Sequence, residues 1–405
     1  EDFRIVAVMT YRLLLTTPVL CLSSCLVVIA DHEVQHDRDR APSSLYAEAE
    51  PERLDPLPPA AFEPHPGRQR YVCHRTEAPL VIDGKPDEAA WAAAPSTELF
   101  VDIQGPDLPA PRFETRAKML WDDEFFYVSA VMEEPHLWGT LTARDSVIFY
   151  DNDFEVFLDP DGDTYDYYEL EVNALGTEWD LLLERPYRDG GPALHEYDTP
   201  GLKTAVHLDG TLNDPSDVDA GWSIEIAIPF HALKAIAGRP LPPSDGDVWW
   251  VNYSRVQWHL DATADGYVKR TDADGKRLPE DNWVWSQQGV IAMHEPESWG
   301  LVMFADEPAD AAMEERAFVG PPDLSHRELL RVVYEAQHRY RKEFGRYADA
   351  PELLGMPPGS FAYPLALYNT PSGFEAVVTW APDGTASTAT AEPLSLRIDE
   401  RGHVW

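Results

Sequence analysis

The chain has 405 residues, with 71 Asp and Glu against 32 Lys and Arg, and a formal net charge of −39. A field this negative repels phosphate backbones and anionic lipid surfaces, which excludes nucleic acid and acidic membranes as partners and leaves neutral ligands and cations open. Thirteen Trp and 17 Tyr set the chain apart from a disordered acidic tail, and its length buries a full core without disulfide or metal staples.

At the N-terminus, Arg12 precedes the short apolar run 13–20, the pattern of an export signal over residues 1–30 rather than of a membrane span. Leu22-Ser23-Ser24-Cys25 has the form of a bacterial lipobox, in which Cys25 would carry an acyl anchor to the outer membrane. Val28-Ile29-Ala30 before Asp31 equally fits ordinary signal-peptidase cleavage. Both readings place the protein in the cell envelope, whether periplasm, outer membrane or outside the cell. Cys21 and Cys25 lie in this segment, so Cys73 alone remains beyond it and no internal disulfide framework is expected.

Residues 31–70, with Pro56, Pro58, Pro59, Pro64 and Pro66, read as a spacer. From Tyr71 short apolar runs alternate with turn signals. The runs 117–121, 125–131, 154–158, 168–172, 222–228 and 249–253 carry the period-two pattern of strands with one buried face. Asp122-Asp123, Asp161-Gly162-Asp163 and Asp245-Gly246-Asp247 supply the turns. Many strands and few helices over 71–304 predict a mainly β domain, an antiparallel β-sandwich of immunoglobulin-like build.

Residues 305–324 read as a second linker, and 325–405 as a small α+β appendage. Ser325 with Glu328 has the spacing of a capping box, and Leu329, Leu330, Val333, Tyr334, Gln337 and Tyr340 follow at helical spacing. A short helix over 350–354 and strands over 374–380 and 394–398 complete it. Helix packing on a hairpin is the plain role; docking of a protein partner is the alternative.

Five segments of the sandwich carry a resemblance. They are Val81-Ile82-Asp83-Gly84-Lys85-Pro86-Asp87-Glu88-Ala89-Ala90-Trp91, Lys118 to Val128, Asp151 to Asp159, Trp222 to Phe230, and Trp285-Ser286 with Pro296 to Gly300. In that order they resemble the landmarks of the family 9 carbohydrate-binding modules. The resemblance spans about 71–304 and implies a sandwich that binds sugars beside or within xylan-degrading enzymes. The apolar C–H face of a pyranose stacks on an aromatic ring, while its hydroxyls need donors and acceptors from carboxylates, amides and Arg.

Carried over by position, the resemblance implies a ligand carboxylate at Glu155, a stacking ring at Phe149 or Tyr150, and an amide at Asn173. Glu171 stands where the family carries Arg. Met293-His294-Glu295 stands where a second stacking Trp is expected. Trp138, in a loop-like stretch, is a candidate exposed platform, and His294 reads as a local hydrogen-bonding residue.

Asp159, Asp161, Asp163 and Asp166 crowd one turn with hard oxygen ligands that suit Ca²⁺, although the spacing is not that of an EF-hand and a solvated acidic turn reads as well. No nucleophile elbow or phosphate loop is present. The expectation is an exported, non-catalytic protein that binds a neutral oligo- or polysaccharide in polysaccharide catabolism. The alternatives are an O-glycosyl hydrolase of xylanase type, or a component of one, and a cell-envelope scaffold.

Overall fold

Along Asp153–Asp159 the even-numbered side chains Phe154, Val156 and Leu158 enter the main core, and the odd-numbered ones turn to the opposite face. Gly221–Pro229 repeats the pattern with Ile224, Ile226 and Ile228, which meet the first set in the same core. Two sheet faces packed through alternate residues make a β-sandwich. This is the architecture of the chain in a computed structural model that describes residues 52–62, 65, 67–309, 316–356, 363–381 and 393–405. Cys25 and the export segment fall outside the described residues.

The first layer runs in the order Glu178–Leu183, Tyr167–Asn173, Asp153–Asp159, Val248–Gln257, Gly300–Pro308. The second runs Thr115–Trp121, Phe125–Glu133, Gly221–Pro229, Lys203–Asp209. Arg70–Arg75 joins them, pairing in parallel with Gly300–Pro308 on one side and with Thr115–Trp121 on the other, with a register shift at His74/Arg75. The remaining strand pairs among the described residues are antiparallel, as expected, and this one bridging strand departs from the rule. Cys73 sits on it, fully buried; burial pushes its thiol pKa well up and leaves it inert.

Two of the recognisable segments meet around one carboxylate. Glu225, from Gly221–Pro229, accepts hydrogen bonds from the Asp83 and Gly84 amides at 3.0 and 2.9 Å and from Trp91 Nε1 at 2.7 Å. The turn after Val81-Ile82 and the short helix Ala89–Ala93 are thereby fixed to the second layer.

The C-terminal part has its own core, in which the helix Leu324–Phe344 packs on a three-stranded sheet. The helix begins before Ser325. Its N-cap is Asp323, whose carbonyl takes the His326 and Arg327 amides, and whose carboxylate pairs with Arg327 at 3.0 Å. Ser325 therefore lies inside the first turn, and no side-chain cap forms. The expected strands appear as Phe374–Trp380 and Leu394–Asp399, joined by Leu365–Asn369, which the sequence pattern did not reveal; a 3₁₀ turn stands at Pro351–Leu354.

Part of the Pro-rich stretch belongs to this second core. Leu54 is buried there, its amide donates to the Leu353 carbonyl at 2.9 Å, and Leu57 donates to Gly355 at 2.7 Å. Gly355 has φ +72°, and a Cβ there would stand 2.2 Å from the Asp55 carbonyl oxygen, so the close backbone approach needs glycine. The appendage rests on the sandwich: Val404 donates to the Asp163 carbonyl at 3.1 Å, Thr164 to Gly402 at 2.8 Å, and Arg327 to Gly162 at 2.6 Å. No helix among the described residues is long and apolar enough to cross a membrane.

Candidate functional site

Strand register builds an acidic floor on the outer face of the first layer. Glu155 lies directly opposite Glu171, Phe157 opposite Glu169, and Glu171 opposite Trp179. Residues paired across strands share a face, so these side chains and Asp153 point away from the sandwich core together. Above them the chain closes a cavity of about 250 Å³ whose walls include Phe149, Trp179, Tyr187, Met293 and His294, with Glu280 and Asn282 at the edge.

Local bonds fix the walls. The Phe149 amide donates to Glu171 Oε2 at 2.9 Å, and the Phe149 carbonyl accepts from Trp258 Nε1 at 2.9 Å. The Met293 carbonyl accepts from Trp299 Nε1 at 2.9 Å. Tyr167 Oη lies 2.9 Å from His294 Nδ1, and Arg188 donates to the His294 carbonyl at 3.1 Å while gripping Glu295 and, at 2.9 Å, Glu297. The Met293 loop is thus tied to the first layer through Tyr167 and to the Tyr187–Asp189 turn through the Arg188 guanidinium.

The floor is electrostatically unusual. Asp153, Glu155, Glu169 and Glu171 are each at most 5% exposed. None makes an ion pair with a basic side chain among the described residues. Burial, with the neighbouring carboxylates adding to it, drives the pKa of Asp153, Glu169 and Glu171 well up; burial brings Glu155 to about 7, with the Ser254 hydroxyl partly opposing the shift. A carboxyl that keeps its proton donates as well as accepts, so this floor offers both halves of a hydrogen bond to a polyhydroxyl ligand. His294 is the reverse case: burial, and then the Arg188 charge, lower its pKa to about 4 and hold it neutral.

Of the residues expected from sequence, Phe149, Glu155, Glu171 and Met293 come together in this cavity. Tyr150 stands outside the lining, 49% exposed, its ring 4.9 Å from that of Phe149. Asn173 is fully buried and shapes a turn: Nδ2 donates to the Leu141 carbonyl and to Asp151, and Oδ1 accepts the Leu175 and Thr177 amides. Trp138 is no exposed platform. It is 8% exposed and packs with Val256, Trp258 and Leu260, because the loop carrying it folds back on the Val248–Gln257 strand.

Asp159, Asp161 and Asp163 place one oxygen each within 4.8 Å of the others, which fits a hard cation in donor type and spacing. Asp159 and Asp163 are already engaged, whereas Asp161 Oδ1 is buried without a hydrogen-bond partner. Asp159 accepts the Gly162 and Thr164 amides, and Asp163 accepts Tyr165 N–H and lies 3.3 Å from His403 Nε2. Gly162 is required in this turn, where a Cβ would stand 2.4 Å from the Trp250 ring.

Glu169, Trp179, Tyr187, Glu280 and Asn282 line the slot although no sequence pattern marked them, and Asp153 brings a carboxylate oxygen within 4.8 Å of those of Glu155 and Glu171. The alternation Tyr168-Glu169-Leu170-Glu171-Val172 held the signal for Glu169. Trp179 needed the register of the next strand, which no local pattern fixes. Other cavities occur among the described residues, one of about 380 Å³ being lined by Arg75, Leu80 and Leu120. A groove of about 500 Å³ on the second layer is lined by Arg116, Glu133 and Trp222, and one of about 210 Å³ beneath the C-terminal helix is lined by Arg68, Arg327 and Arg331. None of these three sets carboxylates beneath facing rings.

The family model described as "Carbohydrate family 9 binding domain-like" matches residues 82–304, just over half of the chain. The exoglucanase XynX of Acetivibrio thermocellus is 28% identical over 191 residues. The match covers 44% of this chain, which spans only 15% of the length of that relative. Among solved structures, a family 9 carbohydrate-binding module from Caldicellulosiruptor kristjanssonii in complex with cellotriose is 15% identical, covering 62% of this chain and all of the module, with a TM-score of 0.38. The glucose complex of a family 9 module from the same organism gives 14% identity, 60% and complete coverage, and a TM-score of 0.37.

Proposed function

The chain belongs to the carbohydrate family 9 binding domain-like family, and from that membership we propose that it is an exported, non-catalytic protein whose acidic slot binds a neutral saccharide for polysaccharide catabolism. The observation that carries the reading is the cavity in which Phe149, Trp179 and Tyr187 stand over Glu155, Glu169 and Glu171. A sugar ring lying against the aromatic walls presents its hydroxyls to the carboxyl floor, where each finds a partner of either polarity.

The test is calorimetry with the whole chain against a panel of neutral oligosaccharides, backed by a glycan array. Saturable binding is expected in the micromolar-to-millimolar range, with Glu155→Ala and Phe149→Ala each weakening it at least tenfold. Flat titrations across the panel overturn the reading.

A glycoside hydrolase is the second reading, favoured by Glu155 and Glu171, which bring carboxylate oxygens within 4.8 Å of each other. Retaining glycosidases separate their carboxyl groups by about 5 Å. Here, however, the two acids stand side by side on one floor rather than on opposite sides of a scissile bond. Release of reducing ends by the purified chain, abolished by Glu155→Gln, would decide for the hydrolase. The appendage over 325–405 and an acyl anchor at Cys25 fit attachment to the cell envelope; loss of membrane association in Cys25→Ser tests the anchor.

A further inference from the structure

We propose that the floor of the slot is a binding site for one hard divalent cation of the Ca²⁺ class, held by Asp153, Glu155 and Glu171. One carboxylate oxygen from each lies within 4.8 Å of the other two. A point therefore exists no more than about 2.8 Å from all three, close to the roughly 2.3–2.6 Å of Ca–O bonds.

A second observation separates this cluster from a mere crowd of acids. Asp153 is fully buried; its Oδ1 accepts the Val256 amide at 3.2 Å, and its Oδ2 meets no donor although it is shut off from solvent. An unpaired buried carboxylate oxygen is costly. A water molecule does not reach it, whereas a bare ion bonding at about 2.4 Å is small enough to stand among the three carboxylates.

The other acidic groupings are answered from within the protein. Arg144 bridges Asp180 and Asp198 and lies 3.8 Å from Asp145. In the acidic turn Asp159 takes two amides and Asp163 has His403 at 3.3 Å as a basic partner, although Asp161 Oδ1 is also buried without a donor. An orphaned oxygen occurs in the acidic turn as well, but among the three such groupings of the described residues only the slot cluster has all three acids buried and no basic partner. A cation seated there would turn a repulsive floor into an attractive one and leave outward valences for water or ligand hydroxyls. The inference rests on the geometry of the floor and not on the sugar reading, and its test contains no sugar.

The experiment uses the whole chain, stripped with a chelator and held in about 0.15 M salt to screen diffuse attraction to a chain of this charge. Ca²⁺ is titrated by calorimetry, and Tb³⁺ by luminescence excited through Trp, since Trp179 lines the same cavity. The isosteric changes Asp153→Asn and Glu171→Gln are each expected to weaken one stoichiometric site at least tenfold. Asp161→Asn, in the separate acidic turn, is expected to leave that site intact. Circular dichroism confirms the fold of each variant, and Glu155→Gln replaces any that fails to fold. Uptake that is unsaturable, or saturable with the same affinity and stoichiometry in the floor variants as in the parent, overturns the proposal and assigns the floor to carboxyls that share protons among themselves.

Discussion

Glu155 and Glu171 face each other directly across two paired strands, 5% and 2% exposed, and no basic side chain among the described residues compensates them. Like charges in direct cross-strand register work against the fold, and here burial amplifies the penalty. Glu171→Gln keeps an oxygen for the Phe149 amide while removing one of the charges. In chelator at pH 8 the variant is expected to be more stable than the parent by about 1 kcal/mol, read from urea unfolding. An equal or lower midpoint would mean that the cross-strand register of the two acids costs the fold nothing.

His294 gives a pH signature of opposite sign to that of the floor. Its folded pKa is lowered to about 4, by burial and then by Arg188, while the unfolded imidazole titrates near the ordinary 6.5. Between these values the unfolded chain binds a proton that the folded chain does not. The His294 contribution is therefore complete above pH 6.5 and is lost as pH falls towards 4, by at most about 3 kcal/mol. Tyr167 and Tyr187, which also meet the ring, stay neutral throughout this window. The difference in stability between parent and His294→Gln is expected to shrink across that range, measured by thermal unfolding at successive pH values.

The sequence carried the sandwich because period-two alternation depends only on which face is buried, and runs such as 154–158 and 222–228 state it locally. It also carried four slot residues, Glu155 and Glu171 within strands and Phe149 and Met293 in the segments between strands of recognisable pattern. What it did not carry is register. That Glu171 stands opposite Glu155 and Trp179 follows from pairings between strands, and a shift of one residue would reverse every face. Trp138 and Asn173 looked available for a ligand because nothing local shows that the one packs under Trp258 and the other closes its own turn. Leu54 was hidden for a similar reason: its partners, Leu353 and the second core, are some 300 residues away in the chain.

Glu225 is the most testable of the fold-defining contacts. It alone accepts Asp83 N–H, Gly84 N–H and Trp91 Nε1–H. Removing the acceptor strands buried donors, each costing roughly 1–3 kcal/mol. Glu225→Ala is expected to destabilise the chain by about 3 kcal/mol or more, and Trp91→Phe, which loses one bond and some packing volume, by about 2 kcal/mol. The double variant should fall short of the sum, since both changes break the same bond. Additive losses in chemical denaturation would refute the coupling.

Arg188 sets the far wall of the slot from a distance. It donates to the His294 carbonyl, pairs with Glu295 and Glu297, and lies 3.1 Å from Asp189. Arg331 of the C-terminal helix joins at 2.6 Å from Glu297, whose pKa is held at about 2 against its burial by Arg331 and then Arg188. Arg188→Met preserves the apolar stem but leaves Glu295 and Glu297 sharing one guanidinium. The Met293–His294 segment is then expected to loosen, with faster amide exchange confined to residues around 290–299 and global stability reduced by about 3 kcal/mol, the scale of breaking a buried ion pair by removing one partner. Saccharide affinity should drop several-fold through the displaced wall, whereas Ca²⁺ uptake by Asp153, Glu155 and Glu171 should not change. Loss of both together would place Arg188 under the whole floor rather than under its rim.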